Sequence, residues 1–211
     1  MLRSRDPGFH ATYVDALAQI GTVRSYPKNT VVFQEGDWSN QLYVIVTGKV
    51  KIFLADSDGR ELIVDILGPR QYFGEMALDG RPRSASVITL EASKLAIVQR
   101  DDFKRFLADN AEASFGLIVT LIDRARNLTR AVGGMGLLDV YGRVARFLLD
   151  NAVEWNGRTV LQERMTHQEI GKRVGASREM VTRILGDLRE GGYIVVEDDT
   201  IVICHPPPAR W

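Results

Sequence analysis

A glutamate and an arginine lie eight positions apart in the turn-rich segment FGEMALDGRPRSASV, residues 73–87. Arg83 offers a guanidinium fork for a phosphate, and the small serine and alanine that follow it let backbone N–H groups approach the same anion. Glu75 offers an acceptor for a ribose hydroxyl, and the glycine before it permits close approach. The residues alone support two interpretations: a surface Glu–Arg pair beside a turn, or a site in which both side chains hold a ligand.

A second set of polar residues follows the spacing of a helix-turn-helix in THQEIGKRVGASREMVTRIL, residues 166–185. Thr166 can cap the first helix, and Glu169 completes a capping box. Gly175 occupies the tight corner, where a residue tolerant of positive φ is needed. Ser177 can cap the second helix. The buried positions that would lock the two helices together are Ile170, Val174, Val181 and Ile184.

The first turns of the second helix carry side chains that can read bases. An arginine can donate two hydrogen bonds to guanine, and a glutamate can accept from the cytosine amino group. Residues 166–189 contain five Lys/Arg and three Asp/Glu, a small local surplus of positive charge. The alternative is a solvated charged face on a helix pair that never touches DNA. The candidate base-reading residues are Arg178, Glu179, Thr182 and Arg183.

The elements that would position these residues differ between the two halves of the chain. From about residue 23 to 98, short runs of β-branched and aromatic residues alternate with turn signals, which predicts an antiparallel sandwich or barrel. RDDFKRFLADN, residues 100–110, predicts a short helix. We expect a helix capped by Asp139 over residues 140–155, helical structure after it, and a C-terminal hairpin within residues 191–206.

A long helix is predicted between these parts because apolar residues recur at steps of three and four, as in a coiled-coil seam. The alternative is an amphipathic helix lying on the strand domain, and the two can coexist. Three glycines at 133, 134 and 136 predict a helix end or a hinge, and with it a domain boundary within 133–138. The seam residues are Ile118, Leu121, Ala125, Leu128, Val132 and Met135.

Composition narrows the function classes. The 211 residues fit two small domains, and 27 basic against 27 acidic residues leave the net charge uninformative about nucleic acid. The chain has one cysteine, Cys204, and no apolar run near the ~18 residues of a membrane span, so we expect a cytoplasmic protein without a membrane partner. The N-terminus MLRSRDPGFH has no signal-peptide core. We find no Walker A loop, metal-ligand cluster or nucleophile–base pair, so we expect neither an enzyme nor a metal site.

The two motifs and the segment LLDVYGRVARFLL, residues 137–149, together resemble the superfamily of bacterial cyclic AMP receptor proteins and fumarate–nitrate regulators. FGEMALDGRPRSASV is similar to the phosphate-binding cassette of cyclic-nucleotide-binding domains. The resemblance implies an α+β fold: a jelly-roll-like antiparallel β-roll (residues 1–110), a dimerisation helix (111–135) and a winged helix-turn-helix (136–211). The implied partners are double-stranded DNA, a second copy of the chain and RNA polymerase.

The resemblance also implies residue roles. The ribose hydroxyl meets the Gly-Glu pair and the cyclic phosphate meets the Arg-Ser pair, and His167 stands where close relatives often carry arginine at a DNA phosphate. The implied ligand-binding residues are Gly74, Glu75, Met76, Arg83, Ser84, Ala85, Arg124, Leu128 and Thr129. The implied DNA-binding residues are Thr166, His167, Gln168, Ser177, Arg178, Glu179, Thr182 and Arg183.

One position departs from the cyclic AMP receptor pattern. Where a Thr-Ser pair contacts the purine, this chain has Leu128-Thr129, and a leucine cannot hydrogen-bond an adenine amino group. Cyclic AMP is the expected effector, but two hypotheses follow from Leu128. The ligand can be cyclic GMP or a cyclic dinucleotide instead, or the dimer can lie closer to its DNA-binding state without ligand.

Overall fold

The computed structural model describes residues 7–208, without the side chains of residues 7–11 and 77. The segment MLRSRDPGFH, in which the sequence shows no signal-peptide core, lies largely outside the described part. Contacts within the chain divide it into two compact units, Met1–Arg124 and Ala125–Trp211.

Eight strands form the body of the first unit in the described part of the chain. They are β1 (Thr22–Tyr26), β2 (Val31–Phe33), β3 (Gln41–Thr47), β4 (Val50–Ala55), β5 (Glu61–Leu67), β6 (Tyr72–Phe73), β7 (Ser86–Thr89) and β8 (Ser93–Gln99). Two antiparallel four-stranded sheets result, with the orders β1-β8-β3-β6 and β2-β7-β4-β5. The antiparallel strand domain predicted from short strands between turns is confirmed, in the β-roll form that the family resemblance implies.

Side chains 42–45 of strand β3 are all buried. Because successive side chains of a strand point to opposite faces, they enter two different apolar clusters. Tyr43 and Ile45 enter an apolar cluster that also takes Val50 from the second sheet. Leu42 and Val44 enter a cluster on the other face of the first sheet. The roll therefore has an inner core between its two sheets, and the outer face of the first sheet is also apolar and must be buried by other elements.

Helices provide that cover. They are α1 (Pro7–Ile20), α2 (Arg100–Asp109) and the first part of α3 (Ala111–Leu137). Val14 of α1 and Phe103 of α2 are buried in the outer cluster, and Leu117 of α3 packs against it. The helix predicted over residues 100–110 is confirmed, whereas α1 was not predicted. The inner face of α1 is defined by its packing against the sheet, which is a contact between segments far apart in sequence.

The long helix ends at Leu137, inside the predicted 133–138 segment, although α3 continues through the glycines at 133, 134 and 136. None of these three glycines has a positive φ, and a glycine in a helix costs only about 1 kcal/mol relative to alanine. The helix ends where Asp139 caps the next one through a 2.7 Å bond from Gly142 N. The division between the units falls within α3, upstream of the predicted 133–138 boundary. The three-part division at 110 and 135 stays a prediction.

The second unit contains three further helices and a four-stranded sheet in the described residues. They are α4 (Val140–Asp150), β9 (Ala152–Trp155), β10 (Arg158–Leu161), α5 (His167–Val174), α6 (Arg178–Glu190), β11 (Ile194–Glu197) and β12 (Thr200–Ile203). The sheet order is β11-β12-β10-β9. Ile170, Val181 and Leu188 are fully buried among the helices, in one cluster with Leu148 and Ile194. The predicted helix pair and C-terminal hairpin are confirmed.

The prediction of continuous helical structure after residue 139 is wrong, because α4 ends at Asp150 and a hairpin follows. Asn156 and Gly157 form its two-residue turn, with φ of 50° and 74°. An Asn-Gly pair between β-branched and aromatic residues is a hairpin signal that outweighs helical periodicity. Among the described residues, no helix combines the length and hydropathy needed to cross a membrane.

Candidate functional site

The 73–87 segment holds two buried charged side chains in the first unit. Glu75 is 8% exposed and Arg83 is 5% exposed. The interpretation as a surface Glu–Arg pair is therefore wrong. Glu75 starts a 3₁₀ turn (Glu75–Asp79), and Arg83 lies just before β7. A charge held inside a protein needs polar partners.

Arg83 finds its partners on three backbone and side-chain oxygens. Nη1 donates to Gly74 O at 2.9 Å, and Nη2 donates to Ser39 Oγ at 2.8 Å and to Gln41 O at 2.5 Å. Ser39 and Gln41 were not predicted, since they lie more than forty positions away in sequence. No local pattern links them to Arg83.

An aromatic cluster lies beneath the guanidinium. The Arg83 Cζ stands 4.1 Å from the Phe33 ring centroid, and Tyr43 and Phe73 stack with centroids 5.1 Å apart beside it. Burial lowers the pKa of Arg83, while Tyr43 and Glu75 oppose that shift. The rings hold the cation by cation–π attraction and exclude water from it.

Gly74 makes this arrangement possible. Its φ is +81°, and a Cβ built there would lie 2.7 Å from Arg83 Nη1. Any larger residue would be strained and would also displace the arginine. The sequence predicted close approach at Gly74; in the structure the group that approaches is the guanidinium.

Glu75 is paired with Arg124 of α3 within the first unit. Arg124 Nη1 donates to Glu75 Oε1 at 2.5 Å, and Nη2 donates to Tyr72 O at 2.8 Å. Burial lowers the pKa of Arg124, but the Glu75 carboxylate more than offsets this effect, so the pKa is raised. Arg124, a predicted ligand-binding residue, thus lies against the predicted ribose acceptor.

The cassette is fastened to the 35–37 loop on both sides of Ser84 and Ala85. Arg83 N donates to Asp37 O at 2.9 Å, and Ser86 Oγ accepts from Glu35 N at 2.9 Å. The exposed Ser84 hydroxyl donates to the sulfur of Met76 at 3.0 Å. The structure therefore brings together Gly74, Glu75, Met76, Arg83, Ser84, Ala85 and Arg124.

One buried donor remains unused at this place. Within residues 7–208, Arg83 Nε is buried without a hydrogen-bond partner. A buried donor left unpaired costs free energy, and an anionic oxygen would satisfy it. The residues present therefore fit a phosphate group at Arg83.

Leu128 and Thr129 belong to the second unit, and their part in the ligand site stays a prediction. Thr129 Oγ1 donates to Ala125 O at 3.0 Å, which leaves the hydroxyl oxygen able to accept a hydrogen bond. All six seam residues are exposed in the single chain: Ile118, Leu121, Ala125, Leu128, Val132 and Met135.

The helix-turn-helix has the caps that its sequence predicts. Thr166 and Glu169 form a capping box at the start of α5, and Gly175 ends it with φ +64°. Ser177 caps α6 by accepting from Met180 N at 3.2 Å. These local bonds set the corner between the two helices.

The start of α6 presents its polar side chains to solvent. Arg178, Glu179, Thr182 and Arg183 are exposed, as are Thr166, Gln168 and Ser177, while His167 is half-buried. The backbone N–H and the Ser177 hydroxyl lower the pKa of Glu179, so it is a carboxylate and an acceptor near neutral pH. The predicted DNA-binding residues thus lie at the N-terminal ends of the two helices, α5 and α6.

Arg143 of α4 is a positioning residue that sequence reasoning missed. Its Nε donates to Val174 O at 2.8 Å, and Nη2 donates to Gly175 O at 3.3 Å. Nη1 donates to Leu138 O at 3.2 Å. A cation at the C-terminal end of α5 complements the helix dipole. It joins the end of α3 to the helix-turn-helix corner.

Comparison with known families matches each unit to one description. Residues 23–110 match the family described as the cyclic nucleotide-binding domain. Residues 142–207 match the family described as the Crp-like helix-turn-helix domain.

Curated relatives cover most of the chain. The chain is 36% identical over 188 residues to the cAMP-activated global transcriptional regulator Vfr of Pseudomonas aeruginosa, covering 85% of this chain and 88% of that protein. It is 36% identical over 183 residues to the CRP-like cAMP-activated global transcriptional regulator of Mycobacterium tuberculosis, covering 84% of this chain and 82% of that protein.

A solved structure has the same architecture. The c-di-GMP responsive global regulator CLP of Xanthomonas campestris aligns with a TM-score of 0.77 and 28% identity, over 92% of this chain and 98% of that one. With the β-roll, the buried cassette and the capped helix-turn-helix, these matches show that the chain belongs to the Crp/Fnr superfamily, as a Crp-like cyclic-nucleotide-binding transcription regulator.

Proposed function

We propose that the protein is a homodimeric transcription regulator gated by cyclic AMP, which binds a two-fold DNA site through its helix-turn-helix. The observation that carries the ligand part is the buried Arg83 with an unpaired Nε donor, in the same segment as Glu75. Arg83 and Ser84 would hold the cyclic phosphate, and Glu75 would accept from the ribose 2′-hydroxyl. The expected cytoplasmic location belongs to the same proposal.

Two observations bear on the identity of the nucleotide. Relatives at 36% identity are named as cAMP-activated, which favours cyclic AMP. Leu128 offers no hydrogen bond to a purine, and CLP, a structural neighbour, is named as c-di-GMP responsive. Cyclic di-GMP, cyclic GMP and binding to DNA without any ligand are therefore the alternatives.

The exposed seam of α3 supports a second copy of the chain as partner. Leu128 is 55% exposed and Val132 69% exposed in the single chain, and burial of such side chains stabilises a helix pair by about 25 cal/mol per Å². A coiled coil would place two recognition helices on one DNA duplex, about 34 Å apart for successive major grooves. Contact with RNA polymerase is part of the proposal by likeness to the family.

The DNA contacts divide by chemistry. Arg178, Glu179 and Arg183 would read base edges in the major groove. Thr166, Gln168 and Ser177 would contact phosphates, which position the helix without reading sequence. Thr182, on α6, contacts His167, the first residue of α5.

The test is fluorescence anisotropy of a labelled duplex carrying a two-fold TGTGA-type site, at fixed salt. The duplex is titrated with protein alone and with saturating cyclic AMP, cyclic GMP or cyclic di-GMP. A large gain in affinity with cyclic AMP alone supports the proposal. A gain in affinity with another nucleotide would identify that nucleotide as the effector. Tight binding that none of the three nucleotides changes would support a regulator that is active without ligand.

A variant separates DNA reading from ligand gating. Arg178→Ala is expected to lose about 1–3 kcal/mol of specific binding and to relax specificity at one base pair. Isothermal titration of cyclic AMP into the same variant should be unchanged. Absence of specific binding in the wild type with every nucleotide would contradict the proposed function.

A further inference from the structure

A side-chain hydrogen bond joins the first residue of α5 to α6 on the predicted DNA surface. His167 Nδ1 lies 2.8 Å from Thr182 Oγ1. The same hydroxyl oxygen lies 2.9 Å from the carbonyl oxygen of Arg178. Two oxygens at this distance need a proton between them, and only the hydroxyl carries one, so the Thr182 hydroxyl donates to the carbonyl. The imidazole must then donate from Nδ1.

This hydrogen bond leaves Nε2 as the nitrogen that can meet a ligand. In the neutral Nδ1–H ring, Nε2 carries a lone pair and repels an anionic oxygen. In the imidazolium, both nitrogens donate, and the contact with Thr182 is unchanged. Nε2–H then becomes a charge-assisted donor suited to a phosphate oxygen.

We propose that His167, oriented by Thr182, is a protonation-dependent phosphate contact, so that the affinity for DNA rises as the pH falls. The inference rests on the proposed DNA-binding function. Because DNA would bind the imidazolium better than the neutral ring, affinity increases as the ring takes up a proton and reaches a plateau once the ring is fully protonated.

The charged side chains around His167 do not occupy its imidazole. Arg164 before α5, Glu169 on α5, Arg189 on α6 and Asp199 in the β11–β12 turn line the same cavity. Glu169 is held by the N-cap threonine through bonds of 2.7 and 2.9 Å, and Asp199 lies 3.8 Å from the Arg164 guanidinium. Both carboxylates have partners other than the imidazole. The positive end of α5 also favours an anion here.

The experiment measures DNA affinity by anisotropy between about pH 5.5 and about pH 8, with full-length protein, saturating nucleotide and fixed salt. Wild type should gain roughly tenfold in affinity at low pH for each histidine that meets a phosphate. His167→Arg should bind tightly at every pH, and His167→Gln weakly at every pH. His205→Gln, at the end of the C-terminal hairpin, should keep the wild-type dependence.

Two further measurements test the contact of His167 with a DNA phosphate and the orientation of its ring by Thr182. At low pH the slope of log affinity against log salt should become more negative by about 0.9 per added phosphate contact. In the free protein at high pH, ¹⁵N-resolved NMR should show the Nδ1–H tautomer of His167. Thr182→Val, which keeps the side-chain shape, should reduce the population of that tautomer.

The outcomes separate the two proposals. An equal pH dependence in His167→Gln and wild type, or an Nε2–H tautomer in wild type, overturns this inference and leaves the proposed function standing. Absence of specific DNA binding at every pH with every nucleotide overturns the proposed function and this inference together.

Discussion

At the scale of single residues, the ligand site depends on how Arg83 is held. Its two terminal nitrogens hold backbone and serine oxygens, while its Nε is buried without a partner in the described residues. The guanidinium is therefore already oriented before an anion arrives. A preorganised donor loses less conformational entropy on binding than a mobile one.

Arg83→Gln tests this role. We expect cyclic AMP affinity to fall roughly 10- to 100-fold, because charge-assisted bonds to the phosphate are lost, as measured by isothermal titration. Arg81→Gln is the matched control, since Arg81 lies two positions away with its side chain 83% exposed. Circular dichroism confirms that both variants fold. Equal loss in both variants, or in neither, would contradict the assignment.

Gly74→Ala tests the close approach behind the guanidinium. The new Cβ would lie 2.7 Å from Arg83 Nη1 at φ +81°, so we expect lost ligand affinity and a stability loss of about 1–3 kcal/mol. Gly59→Ala has a similar φ of +76° but open space around its Cβ. It should cost stability by strain alone and leave ligand affinity intact, as urea unfolding and titration would show. If both variants bind alike, the contact with Arg83 does not matter.

At the scale of elements, the helix-turn-helix is assembled by close contact as well as by caps. Gly171 lies on the inner side of α5, where an added Cβ would stand 2.5 Å from Ala176 O. That oxygen belongs to the backbone of the corner, so it cannot move without opening the turn. Gly175 at the corner was predicted from the sequence, whereas the need for a glycine at position 171 was not.

Gly171→Ala should therefore destabilise the second unit by about 1–3 kcal/mol, the range for an overpacked site. Gly186→Ala, in α6 with nothing near its Cβ, should stabilise by up to about 1 kcal/mol through helix propensity. Thermal unfolding compares the two. A destabilised Gly186→Ala or a neutral Gly171→Ala would show that the corner relaxes.

The long helix carries the proposed dimer interface. Val132→Asp should convert a dimer into a monomer, because a buried charge at the seam is costly, whereas in the single chain this residue is exposed. Asn127→Asp adds the same charge off the seam and should leave the dimer intact. Sedimentation velocity distinguishes the species. A monomeric wild type would contradict the proposed dimer, and a dimeric Val132→Asp would place the interface elsewhere.

At the scale of the whole molecule, ligand can act on DNA binding only by favouring one conformation over another. Leu128 lies on the exposed seam, where its burial in a dimer would stabilise association without ligand. Under this hypothesis the unliganded protein already has part of its DNA affinity. The ligand then supplies a smaller coupling free energy.

Leu128→Thr tests that balance. We expect a several-fold lower DNA affinity without ligand and a larger gain with cyclic AMP, since apolar burial is removed while a hydroxyl is restored. Anisotropy with and without nucleotide measures both quantities. An unchanged affinity of the unliganded variant would show that Leu128 does not prime the dimer, and would direct attention to ligand choice.

The sequence by itself determined what local chemistry decides. The capping box at Thr166, the positive-φ corner at Gly175 and the strands between turn residues each depend on a few neighbouring residues, and all appear in the structure. The Asn156-Gly157 hairpin is also a local signal, and it was missed because helical periodicity was extended past the end of α4.

Only the tertiary structure decided how the two charges of the opening segment are used. Glu75 meets Arg124, which lies forty-nine positions away, and Arg83 meets Ser39 and Gln41, which lie forty-four and forty-two positions away. Such contacts form when strands close into a roll, and no local pattern encodes them. The same holds for the packing of α1 on the sheet and for the continuation of α3 through its glycines, since burial and helix length outweigh local propensity.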